Sequence, residues 1–134
     1  MNSFSLKIVT PDGVKFDGQA QTLIVRTTTG DLGILAGHAN CVAPLGMGQA
    51  MVLLDGKKCY GACIGGMVSV VNGEVSLVPT TFEWADEIDL HRATLAEECA
   101  KAVLENKQSA DRDIRLANAK LKRALVRKSV AQLR

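Results

Sequence analysis

Three arginines carry most of the chemistry that this chain can offer. Arg123 and Arg127 stand four residues apart, a spacing that puts two side chains on one face of a helix. Arg92 lies far earlier, in a segment that also has a helical pattern. If the two helices fold back on each other with a turn near Ser109, Arg92 comes level with Val126 and Arg127, and Asp89 lies nearby. Three guanidinium groups then converge at the open end of a helical hairpin, next to the acidic stretch from Glu83 to Asp89. A guanidinium fork presents paired donors that suit the oxygens of a phosphate chain. A helix beginning around Asp89 adds backbone N–H donors at its N-terminus. The same spacing also admits a plainer arrangement, in which Asp89 and Arg92 form a local i, i+3 pair while Arg123 and Arg127 are simply solvated.

Catalytic machinery is not in evidence elsewhere. No stretch has the GxxxxGK[ST] spacing of a phosphate-binding loop, and Asp55-Gly56-Lys57-Lys58 reads as a hairpin turn. His38 and His91 fall in different modules, and no serine sits on a nucleophile turn, so a Ser/His/Asp site is not supported. The chain is therefore expected not to be an enzyme. Cys41, Cys59, Cys63 and Cys99 include no CxxC pair, which argues against zinc and for buried structural thiols in a reduced, intracellular setting. Nothing at Met1 to Thr10 resembles a signal peptide, and no apolar run reaches transmembrane length. From Arg112 onward eight basic residues face the single acid Asp113, so an anionic partner is expected. Nucleic acid fits that charge poorly, because Trp84 and Tyr60 lie away from the cations and provide no stacking platform. An acidic protein meeting a helix face fits it better.

The elements that position these groups follow from one asymmetry. All twelve glycines lie between Gly13 and Gly73, and neither glycine nor proline occurs after Pro79. Both residues punctuate turns and are costly inside helices. The first part is therefore expected to be short strands, the last part long helices. Phe4, Leu6 and Ile8 alternate with polar residues before the turn Pro11-Asp12-Gly13 and a strand from Val14. Further strands are expected over Thr22 to Thr28, Cys41 to Leu45, Ala50 to Leu54, Lys58 to Ile64, Met67 to Val71 and Glu74 to Val78. Gly30 to Gly33, Gly46 to Gly48, Asp55-Gly56, Gly65-Gly66 and Asn72-Gly73 are expected to connect them. Asp-Gly and Asn-Gly signal two-residue hairpin turns, and the spacing suits an antiparallel sandwich or barrel. Only five residues are aromatic, so the core should be aliphatic. Asp86 or Asp89 can cap the first helix. Ala93, Ala96, Ala100, Val103 and Leu104 form its stripe; Ile114, Ala117, Leu121, Ala124 and Leu125 form that of the second. Stripes so narrow and rich in alanine suit a close but weakly held hairpin.

Several segments resemble one family closely. Gly30-Asp31-Leu32-Gly33-Ile34-Leu35-Ala36-Gly37-His38 is similar to the glycine-rich loop of the epsilon subunit of rotary F-type ATP synthases, with Ala36 where a proline is common. Ile88-Asp89-Leu90-His91-Arg92-Ala93 resembles the nucleotide-binding motif of bacterial epsilon subunits. Leu121-Lys122-Arg123-Ala124-Leu125-Val126-Arg127 resembles that family's second-helix motif. The similarity covers essentially the whole chain, with the modules in the same order. It implies an antiparallel β-sandwich of about ten strands over residues 1–84, then an antiparallel two-helix hairpin over residues 85–134. It further implies a noncatalytic rotor subunit that couples the gamma subunit to the ring of membrane-embedded c subunits, with Asp31 and His38 facing partners. The hairpin is mobile in the family. Folded, it permits ATP hydrolysis; extended toward the alpha and beta subunits of the catalytic head, it inhibits. By the same resemblance ATP, with or without Mg2+, is a regulatory ligand of the folded hairpin at Glu83, Ile88, Asp89, Arg92, Ala93, Arg123 and Arg127. The nucleotide-binding relatives carry an arginine where this chain has Cys99, so a constitutive inhibitor that ignores nucleotide is the alternative. The implied location is peripheral, on the cytoplasmic face of a bacterial cell membrane.

Overall fold

Alternation builds the first sheet: Phe4, Leu6, Ile8 and Thr10 are buried along one face of the opening strand, while Ser5 and Lys7 between them face solvent. A computed structural model describes residues 2–133, and the chain divides into one unit ending at Trp84 and another beginning at Ala85. The first unit holds ten strands: β1 (Phe4–Thr10), β2 (Gly13–Ala20), β3 (Thr22–Thr27), β4 (Gly30–Leu35), β5 (Cys41–Pro44), β6 (Met47–Leu54), β7 (Lys57–Ile64), β8 (Met67–Val71), β9 (Glu74–Val78) and β10 (Thr81–Trp84). They make two five-stranded sheets, in the orders β2-β1-β9-β8-β5 and β10-β7-β6-β3-β4. Side chains from both, among them Leu6, Ile8, Leu23, Val25, Ile34, Val52, Val68 and Leu77, form one aliphatic core.

Turn chemistry sets the registers. Asp55-Gly56 and Asn72-Gly73 hold positive φ at both positions, 49° and 80° in the first pair and 52° and 80° in the second. This is the backbone that two-residue hairpins require, and it joins β6 to β7 and β8 to β9. Two expectations are corrected. Gly30 to Gly33 is not a connector but the first part of β4, paired with β3 from Thr27↔Gly30 to Thr22↔Leu35. Met47 and Gly48 likewise belong to β6, and the glycine serves close packing: a Cβ on Gly48 would lie 2.6 Å from the Arg26 Cβ. The two sheets form the expected sandwich and are mostly antiparallel, although β1 pairs with β9 in parallel from Ser5↔Glu74 to Ile8↔Leu77. The strand β10, which no local signal announced, pairs with β7. Its Trp84 stacks edge-on to Phe82 at 4.9 Å, and the indole N–H donates to the Lys15 carbonyl at 3.3 Å.

The second unit contains a short 3-10 turn (Ala85–Glu87), α1 (Leu90–Glu105) and α2 (Asp111–Ala131). Asp89, not Asp86, caps α1: its Oδ1 accepts the Arg92 backbone N–H at 3.1 Å. Asp86 lies in the 3-10 turn. The connection closes on the end of α1, where the Asn106 N–H and the Ser109 hydroxyl both donate to the Val103 carbonyl. No side chain caps α2, but Asp111 and Asp113 in its first turn complement the helix dipole. The buried positions are Ala93, Glu97 and Ala100 on α1, and Ala117, Ala124, Val130 and Ala131 on α2. Ala96 and Leu125, expected on the stripes, are exposed instead. The apolar seam of α1 thus runs through a carboxylate, whose charge two lysines compensate.

Candidate functional site

Within the helical unit, one face of α1 and one face of α2 enclose a groove of about 900 Å³. Its floor is small: Ala96, Ala100 and Ala117 contribute little more than methyl groups, so the space between the helices stays open. Arg123 and Arg127 line it from α2, together with Lys120. Each is one helical turn from the next, so their heads share a side. Arg123 and Arg127 are half-buried, which raises the strength of any contact they make with an anion. Cys99 lines the groove from α1, and Asp113 is the acid at its loop end. Such an arrangement offers two guanidinium forks and one ammonium to a chain of anionic oxygens.

Arg92, Asp89 and Ile88 do not line this groove, to which two guanidinium groups, those of Arg123 and Arg127, contribute. The reason lies in side-chain direction. Every Cα–Cβ bond in a helix tilts toward the helix N-terminus. In an antiparallel pair, residues that are level along the backbone therefore lean apart. The Cα–Cβ bonds of Arg123 and Arg127 tilt toward the loop, where these residues share the groove lining with Ala96 and Cys99, whereas that of Arg92 tilts toward the start of α1.

The remaining expected site residues are placed as follows. Ile88 and Ala93 are buried, while Asp89 and Arg92 are exposed. Asp89 is engaged through Oδ1 with the Arg92 main chain, so the local i, i+3 contact exists, but to the backbone and not the guanidinium. Glu83 is half-buried on β10, opposite Ala62 of β7. Asp31 lies on the edge strand β4, and its Oδ1 accepts from Arg26 Nε at 2.6 Å. His38 is half-buried beyond β4, its Nδ1 2.7 Å from the Ala39 carbonyl oxygen. The expectation that all four thiols are buried fails: Cys63 is buried, Cys41 and Cys59 are half-buried, and Cys99 is exposed. Desolvation pushes the Cys63 thiol up to about 12, which makes it inert.

Two features escaped the sequence reading. Lys120 joins the arginines in the groove, and its i−3 spacing from Arg123 was a usable signal. Glu97 was hidden because a charge at a seam position looks like an interruption of the apolar pattern. Its Oε1 lies 3.0 Å from Lys101 Nζ and its Oε2 3.0 Å from Lys128 Nζ. Hydrogen bonds from Lys101 first, then Lys128, hold its carboxyl below the ordinary carboxylate range.

Comparison with known proteins places both units. Residues 3–85 match the beta-sandwich domain of the ATP synthase delta/epsilon chain, and residues 86–132 match its long alpha-helix domain. An ATP synthase epsilon chain from Bacillus velezensis is 40% identical over 131 residues, covering 98% of each chain. That of Caldicellulosiruptor bescii is 36% identical over 132 residues, covering 98% of this chain and 96% of the relative. Among solved structures, a chain in the Euglena gracilis mitochondrial ATP synthase superposes with a TM-score of 0.84 at 24% identity, over 98% of this chain and 82% of that one. At that identity the likeness speaks for the fold alone.

Proposed function

Because the chain belongs to the delta/epsilon chain family of ATP synthases, as an epsilon-type, noncatalytic subunit, we propose that it links the gamma subunit to the ring of c subunits and gates ATP hydrolysis through its helical hairpin. ATP is the ligand that favours the compact hairpin. The observation that carries this reading is the groove itself: cations from α2 and an open floor of small residues from both helices form one recess. A ligand that needs both helices binds only the closed hairpin, and shifts the closed–open balance by its differential affinity for the two states. Arg123 and Arg127 take the phosphate oxygens; Arg92 and Asp89 act from the start of α1, outside the recess. Mg2+ would enter with the phosphates.

When the hairpin opens, Arg112, Arg115, Lys120, Lys122 and Arg123 become available to acidic surfaces of the alpha and beta subunits. Lys120 and Arg123 then serve both states, one as ligand contacts and the other as inhibitory contacts. The subunit reaches the membrane through its partners, with Asp31 and His38 on the ring-facing side; no described helix is long and apolar enough to cross a bilayer. Calorimetric titration of ATP into the full chain tests the site, with Arg123→Ala and Arg92→Ala as controls. Saturable binding that Arg123→Ala weakens by about tenfold or more is expected, the loss of one charge-assisted contact. No heat at millimolar ATP would end the nucleotide reading.

A second reading has one specific observation in its favour. Cys99 lines the groove at the position where the resembled nucleotide sites carry arginine, and Asp113 adds a negative charge. With two guanidinium groups in place of three, the subunit could inhibit constitutively. Cys99→Arg separates the two: a gain of at least tenfold in ATP affinity fits a weakened sensor, and no binding in either chain fits the constitutive inhibitor.

A further inference from the structure

We propose that Glu97, gripped by Lys128 across the hairpin and by Lys101 on its own helix, is the latch that sets how readily the two helices separate. The Glu97–Lys128 pair joins α1 to α2, and with Lys101 it engages both carboxylate oxygens at 3.0 Å. Around it the seam is made of alanine. Ala93 and Ala100 flank Glu97 on α1; Ala124 and Ala131 flank Lys128 on α2; all four are buried. Alanine lets helices approach closely but removes little apolar surface from water. The contact that is costly to break in this seam is therefore the charged one. The Glu97 side chain retains only 9% of its exposure, against 36% for Lys128 and 54% for Lys101. The carboxylate is thus the desolvated partner, and a buried carboxylate is held only while its donors are present.

The asymmetry of the two lysines makes the latch reversible. Lys101 stands four residues from Glu97 on the same helix and stays with it in any state that keeps α1 intact. Opening the hairpin removes Lys128 alone, so Glu97 emerges into water already paired. The charged groups that reach Glu97 are Lys101 from α1 and Lys128 from α2, and both favour its ionised form. Lys128 also directly follows Arg127 of the groove. A phosphate chain that draws Arg127 toward α1 and the pair that draws Lys128 toward Glu97 therefore stabilise the same closed state, and their effects add.

This inference rests on the reading of the hairpin as an element that opens, and it is tested on the full chain without nucleotide. Amide hydrogen exchange of residues 90–131 is compared among the native chain, Glu97→Gln, Lys128→Met and the double variant, with strands β1 to β9 as internal reference. Lys128→Met keeps the aliphatic stem and preserves the Glu97–Lys101 pair, so it reads the latch even if Glu97→Gln unfolds the helices. Each single change is expected to raise exchange in the hairpin roughly tenfold, the double no further than either single, and the reference strands not at all. Effects that multiply in the double variant, or hairpin exchange unchanged in Lys128→Met, would overturn the latch. Repeating the native measurement with ATP keeps the two ideas apart. Protection by ATP with no Glu97–Lys128 coupling sinks the latch alone; coupling without protection sinks nucleotide gating alone.

Discussion

The sandwich and the hairpin are stabilised by opposite means. The sandwich buries Leu6, Ile8, Leu23, Ile34 and Leu77 at 1% exposure or less, and long-range ladders tie each sheet together. The helices bury five alanines, Val130 and a compensated carboxylate, and their leucines at positions 90, 95, 116 and 125 remain 38% to 50% exposed. Apolar area removed from water is the dominant favourable contribution to folding, so the two units cannot be equally stable. Elements able to change shape are drawn from the low-stability end. The comparison teaches that the weak hold between the helices is a matter of composition: alanine allows contact without commitment.

Deleting core volume in the sandwich should break this contrast most strongly. Leu77→Ala leaves a cavity in a fully buried site and should cost about 2–5 kcal/mol, read from denaturant unfolding followed by Trp84, the single tryptophan. A loss under 1 kcal/mol would mean that the sandwich is far looser than its burial indicates. Thiol reactivity sharpens the same contrast. Exposed Cys99 should alkylate on the order of 100-fold faster than Cys63, which reacts only as the sheets open; mass spectrometry of the labelled chain gives the ratio, and similar rates would contradict the difference in burial. Overfilling the seam comes next. Ala124→Leu should force the helices apart at a cost of about 1–3 kcal/mol, seen as loss of helical dichroism with Trp84 emission unchanged; an equal loss in both probes would show that the units do not unfold separately.

Acid gives the smallest expected effect. The folded-state value of Glu97 is depressed, so its contribution is complete above the ordinary carboxylate range. It disappears as pH falls through that lower folded value. Helical dichroism should therefore decline with acid more steeply in the native chain than in Glu97→Gln, while Trp84 emission holds. Identical acid profiles in the two chains would remove Glu97 from the account.

How much of this was legible depended on whether the cause was local. Glycine and proline mark turns wherever they fall, so the change from strands to helices after Pro79 and the Asp55-Gly56 and Asn72-Gly73 hairpins could be read directly. The pairing of β1 with β9 left no local trace, since parallel register between strands some 70 residues apart is decided by packing. Gly30 and Gly33 misled because glycine also serves within strands, and β10 was too short to show alternation. In the candidate site, the i, i+4 spacing of Arg123 and Arg127 sufficed to pair them. That Arg92 lies outside the groove lining was not legible, because spacing gives the level of a residue on a helix but not the way its side chain leans. Glu97 was invisible for another reason: a pattern search counts a charge as an outward position, and only the two lysines supplied by the fold reverse that.

The parallel partnership of β1 and β9 also orders events during synthesis. The opening strand stays without one of its neighbours until the chain has been made as far as Val78, and contacts so distant in sequence close slowly. The helices begin only at Leu90. At about 5–20 residues per second, a ribosome needs only seconds more to deliver them. The sheets are thus complete in sequence before the first turn of α1 exists, and the sandwich is able to close while the helices are still being made.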